Sequence, residues 1–204
     1  MKFETTPGAR AAVQVLAASK IRELYNEGIG RKNILAFWVG EPDEPTPELI
    51  RKAATESIGA GEVFYTHNLG IPELREALAA YITRLHRKTG ANQIAVTSAG
   101  VNALMLAAQL LLDPGDHVVE VVPLWPNLQE IPKILGARVT TVPLDFAPTG
   151  WTLNMEKLLE ALTPGTRALY LNSPNNPTGW TISRRGAADD PRALPPTRHL
   201  DLCR

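Results

Sequence analysis

The stretch N-S-P-N-N-P-T-G, residues 172–179, sets three carboxamides beside two prolines directly after an apolar run. A carboxamide at the exit of a strand can donate to a phenolate or carboxylate oxygen, while Pro177 and Gly179 shape the turn. The same residues also make an ordinary turn that binds nothing. A second stretch, T-S-A-G-V-N-A-L, runs from an apolar segment into a helical pattern. Its small residues Ser98, Ala99 and Gly100 let backbone approach a ligand, and the unbonded N–H groups of a helix start suit an anion such as phosphate. Read alone, it is equally a plain strand-to-helix turn.

In V-V-P-L-W-P-N-L, Trp125 stands on a proline-flanked turn. Its indole either stacks on a planar aromatic ligand or covers the end of a sheet. In E-V-F-Y-T-H-N-L-G, Tyr65 either donates to a phosphate or anchors its loop, and the isolated His67 reads as neither base nor ligand. No G-x-x-x-x-G-K-[ST] or G-x-G-x-x-G occurs, so nucleoside triphosphates and dinucleotides lack support.

These stretches must be held by something. The 204 residues are 44% hydrophobic, enough for a core, and 21 basic residues balance 21 acidic ones. Zero net charge points to no nucleic acid and no acidic membrane surface. The longest apolar run, Ala103 to Leu112, contains Gln109 and is too short to span a bilayer. The N-terminus lacks the apolar run of a signal peptide, and the one cysteine, Cys203, excludes an internal disulfide framework. A cytoplasmic protein is expected.

Helical spacing runs over 7–28, and a short strand is expected over 33–43, ending at Gly40. Thr46 and Pro47 open one helix and Pro72 another. Beyond residue 92, strands and helices alternate: strand 93–100, helix 101–115, strand 116–124, helix 127–136, strand 137–145, helix 153–165, strand 166–173. Such alternation predicts an α/β layer with a mainly parallel sheet. Ligands of such sheets lie beyond the carboxyl ends of the strands, where Gly40, Ser98 to Asn102, Pro123 to Asn127 and Asn172 to Gly179 fall.

Taken together and in order, G-E-P-D (40–43), Y-T-H-N-L-G-I-P-E-L-R-E-A-L, T-S-A-G-V-N-A-L…L-D-P-G-D, P-L-W-P-N and N-S-P-N-N-P-T-G resemble the class I/II aminotransferases, pyridoxal-phosphate enzymes of fold type I. The likeness extends from about residue 7 to residue 183. It implies an incomplete three-layer α/β/α large domain with a mainly parallel sheet, plus part of a small domain from the N-terminal segment. It also implies pyridoxal 5'-phosphate as cofactor, and amino-group transfer between an amino acid and a 2-oxo acid. By the same resemblance Ala99, Gly100 and Val101 form the cofactor-phosphate turn and Trp125 stacks on the pyridine ring. Asn176 donates to the phenolic oxygen, and the backbone amide of Gly40 meets the substrate carboxylate. Tyr65 reaches the phosphate of a neighbouring subunit, which implies a homodimer.

The chain also departs from that pattern. The family's Schiff-base lysine follows the asparagine turn, yet the last lysine here is Lys157 and none follows Asn176. Asp189 and Asp190 come too soon after the turn to match the aspartate that pairs with the pyridine nitrogen. The tail loses all periodicity: Arg, Ala, Pro and Gly supply twelve of the twenty-four residues from Thr181 to Arg204. The expected organisation is an N-terminal segment over 1–45, a partial cofactor-binding domain over 46–183 and a tail foreign to the family over 184–204. The expected reading is a truncated, frameshifted aminotransferase without catalytic residues of its own. The alternatives are a phosphate-ligand-binding module and a structural or dimerising fragment.

Overall fold

A computed structural model describes residues 8–182. The tail expected over 184–204 lies outside the described residues. The described residues divide into two compact units, Ala18–Ser98 and a second in which residues 8–17 join residues 99–182.

The second unit carries the sheet. Strand β1 (His117–Val122) runs parallel to β2 (Arg138–Pro143) on one side and to β5 (Thr166–Tyr170) on the other, giving the order β2-β1-β5. The β-branched run in β1 explains its central place. Val118, Val119 and Val121 are all buried, as a strand covered on both faces requires. Helices α5 (Gly100–Leu111) and α6 (Pro126–Ile134) cover one face, where Ala108, Leu112, Val118, Leu124, Leu128, Ile131, Ala168 and Tyr170 form a core cluster. Helix α7 (Met155–Ala161) covers the other, where Val119, Val121, Val142, Leu144, Leu158, Leu162 and Leu169 pack together. Alternate residues of one strand feed opposite clusters, which yields the expected three layers. A short helix, α1 (Ala11–Gln14), also packs on α6.

A hairpin of β3 (Asp145–Ala147) and β4 (Gly150–Thr152) follows β2. It has no counterpart among the expected elements, although Pro-Thr-Gly at 148–150 between two aromatic residues is a turn signal. Phe146 and Trp151 face each other across it, with ring centroids 4.9 Å apart.

The unit Ala18–Ser98 holds α2 (Lys20–Gly28), α3 (Glu48–Gly59), α4 (Pro72–Leu85) and a 3-10 turn at Ala91–Gln93. Ala79 is its one buried apolar residue among the described residues. Several expectations change here. The helix expected over 7–28 is two helices, because Ser19 restarts it: its hydroxyl accepts from the Arg22 amide, capping α2. Helix α3 begins one residue later than expected, with Pro47 itself in the capping place and no side-chain cap from Thr46. No strand forms over 33–43 or 93–100, and Gly100 at the end of the latter already opens α5. The second of these stretches has extended residues and a backbone bond from Val96 N–H to Leu69 O at 3.0 Å, but forms no ladder. An extended segment with no neighbour to build a ladder remains a loop.

Candidate functional site

Two of the expected site residues leave neighbouring parallel strands at the same end. Trp125 follows β1 and opens α6, with Pro126 in the first helical position. Proline suits that position because its missing N–H would have no helical acceptor there. The indole is half-buried and packs against the cluster beneath α5 and α6. Asn176 follows β5 in the asparagine turn, also half-buried.

That turn is built by its own side chains. Asn172 and Asn175 are 3% and 5% exposed, and the fold uses the carboxamides of both. Asn172 Oδ1 accepts the Asn176 N–H at 2.8 Å while its Nδ2 donates to Pro174 O at 3.1 Å. Asn175 Oδ1 accepts from the Thr178 N–H at 3.1 Å and from the Thr178 hydroxyl at 2.9 Å. Asn175 Nδ2 donates to Pro123 O at 3.2 Å, across to the loop that carries Trp125. Gly179 closes the turn at φ +72°, a conformation glycine takes without strain, and its amide donates to Asn175 O at 2.9 Å. The carboxamide of Asn176 has no partner among the described residues. Of three asparagines, two are consumed by the fold and one is left for something else.

Ala99, Gly100 and Val101 stand where α5 begins. Ala99 is extended, at φ −160° and ψ 158°, and turns the chain into the helix. The first helical bonds come from the Asn102 and Ala103 amides, both to Ala99 O. The amides of Gly100 and Val101 therefore head the helix with no helical acceptor before them. A Cβ on Gly100 would meet nothing within 4 Å, so space lies open before this helix start. Val101 packs against the same cluster as Trp125. An anion-suited helix start, an indole and an unspent carboxamide thus share one unit. That donor set fits pyridoxal phosphate, which presents a phosphate, a flat ring and a phenolic oxygen.

Gly40 and Tyr65 belong to the other unit. Gly40 is exposed with no atom within 4 Å of where a Cβ would stand, and Tyr65 is fully exposed. His67 Nδ1 accepts the Leu69 amide at 3.1 Å.

One buried group escaped the sequence reading. Glu120, midway along β1, is 0% exposed, and neither carboxylate oxygen has a hydrogen-bond partner among the described residues. Burial pushes its pKa up to about 8, a rise that nearby Lys133 opposes and Glu130 assists. An acid inside the apolar run H-V-V-E-V-V is the signal that could have found it.

Residues 32–187 match the family Aminotransferase class I and II. The chain belongs to that family. The aspartate/prephenate aminotransferase of Thermus thermophilus is 37% identical over 177 residues, covering 85% of this chain and 43% of the relative. The aspartate aminotransferase of Pyrococcus horikoshii is 33% identical over 177 residues, covering 84% and 44%. Among solved aminotransferase structures, the aspartate aminotransferase of Thermus thermophilus with maleate superposes with a TM-score of 0.76 at 35% identity, over 89% of this chain and 48% of that one. That of Rhizobium meliloti gives 0.74 at 32% identity, over 91% and 46%. The chain spans less than half the length of these relatives. As a member of that family with the fold type I architecture, it contains a parallel sheet with helices on both faces.

Proposed function

We propose that this chain forms the cofactor-binding half of a pyridoxal-phosphate-dependent aminotransferase that moves an amino group between an amino acid and a 2-oxo acid. The observation that carries the reading is the unspent carboxamide of Asn176, held by two spent ones at the end of β5. The names of its relatives favour aspartate or prephenate as substrate of the whole enzyme.

The cofactor supplies an electron sink through which an amino group can leave one carbon and join another. The residues supply position. The head of α5, with the amides of Gly100 and Val101 after Ala99, receives the phosphate. Trp125 lies against the ring, and Asn176 Nδ2 donates to the phenolic oxygen and favours its charged form. The Gly40 amide takes the substrate carboxylate. Tyr65, fully exposed, serves the phosphate site of a second copy, which makes the whole enzyme a homodimer.

Transamination also needs a lysine to carry the proton between carbons, and by the resemblance it lies beyond Asn176. No lysine of these 204 residues does. Lys133 and Lys157 are engaged elsewhere, with Glu130 at 2.7 Å and Asp145 at 3.5 Å. These residues by themselves therefore bind the cofactor non-covalently and do not transaminate. Equilibrium titration with pyridoxal phosphate tests the reading: saturable binding that Trp125→Ala weakens supports it, and no binding removes it.

A further inference from the structure

We propose that Asn175 is a positioning residue for the cofactor: through its hydrogen bond to Pro123 O it sets where the Asn176 carboxamide stands relative to the Trp125 indole. The inference rests on the cofactor reading above and goes one layer behind it.

Asn176 and Trp125 sit on separate loops, one after β5 and one after β1. For both to act on one ring, the loops must keep a constant separation. Backbone pairing of β1 and β5 ends at Glu120 and Tyr170, so it stops five and six residues short of the two side chains. Beyond that point, the Asn175 Nδ2 to Pro123 O bond is the hydrogen bond that joins the two loops among the described residues. The orientation of this carboxamide follows from its partners. The Thr178 N–H can only donate, so the atom it meets is Oδ1, and Nδ2 must face the Pro123 carbonyl. Asn175 is also buried, and its own amide donates to Trp180 O at 2.7 Å, which fixes the residue from a third side. A carboxamide is the one side chain of this size that both accepts and donates here. A carboxylate keeps the Thr178 half and loses the Pro123 half.

Asn175→Asp therefore separates the two roles, and Asn175→Leu is a neutral variant that loses both. Each is titrated with pyridoxal phosphate and with its 3-deoxy analogue, which keeps the phosphate and ring but has no phenolic oxygen for Asn176. Circular dichroism on the same samples establishes that each variant is folded. The expected result is that Asn175→Asp raises the Kd for pyridoxal phosphate by about tenfold, the worth of one hydrogen bond. The Kd for the 3-deoxy analogue should change by less than about twofold, because phosphate and ring contacts are untouched. Equal losses for both ligands would mean that Asn175 only holds the fold, and would overturn the proposal. Unchanged affinity in both variants would overturn it as well. If the unsubstituted chain bound neither ligand, the cofactor reading itself would fall, an outcome distinct from either.

Discussion

Glu120 and Tyr170 stand opposite each other on β1 and β5, and both are buried. The carboxyl has no hydrogen-bond partner among the described residues, and burial, with Glu120 beside it, pushes the Tyr170 hydroxyl up to about 12. A sheet normally places an apolar residue at such a position, because an unpaired buried carboxylate is costly and a neutral carboxyl costs less.

That pair sets a pH dependence. Burial pushes the Glu120 carboxyl up from its ordinary 4.5 to about 8 in the fold. Its contribution to stability is fully present below pH 4.5 and is lost as pH rises through 8. The total is on the order of a few kcal/mol. Lys133 and Glu130 on α6 face it with opposite signs and partly offset each other. The urea midpoint should therefore fall from pH 5 to pH 9, and fall further for the native chain than for Glu120→Gln. Parallel profiles would mean that Glu120 finds a partner.

At the start of β1, His117 spans three strands: Nδ1 meets Thr166 Oγ1 at 3.0 Å on β5, and Nε2 meets Thr140 Oγ1 at 2.9 Å on β2. Burial, then the neighbouring Arg138, hold the imidazole below its usual pKa. Its contribution is thus present above the ordinary histidine range and lost as pH falls through the folded value. His117→Ala should cost about 1 to 2 kcal/mol at neutral pH by loss of the two bonds, and less in acid. Thermal melts from acid to neutral pH read this directly, and a cost that grows in acid would contradict it.

The two faces of the sheet make separate packing predictions. Leu158 on α7 is 3% exposed within the cluster under that helix, and its replacement by Ala should cost about 2 to 5 kcal/mol. Leu110 on α5 is 84% exposed, and Leu110→Ala should stay within about 0.5 kcal/mol. Denaturant unfolding of both variants checks the layer assignment; similar losses would mean that α5 buries a second face.

The sheet unit is legible in the residues because local and global signals agree there. H-V-V-E-V-V reads as a buried strand and is one, and Pro126 opens its helix as proline should. The strands expected over 33–43 and 93–100 have suitable residue types, but a strand also needs a neighbour, and spacing along one segment carries no information about pairing. The same limit applies to the site. Asn176 stands out in the sequence through its motif, yet which carboxamide of three stays unspent is decided by bonds to Pro123, Pro174 and Thr178. A backbone carbonyl 52 residues away leaves no mark on the chain that receives it.

The central claim is that these residues bind pyridoxal phosphate at the strand ends without a covalent lysine. One experiment tests it most directly: equilibrium titration of the 204-residue chain and its Asn176→Ala variant with pyridoxal phosphate, then borohydride reduction and peptide mass mapping. The account predicts saturable, one-to-one binding that dialysis reverses, weakened about tenfold by Asn176→Ala, with no stoichiometric adduct after reduction. Equal affinity in the two chains, or a single stoichiometric adduct on Lys133 or Lys157 accompanied by transaminase turnover, would contradict it.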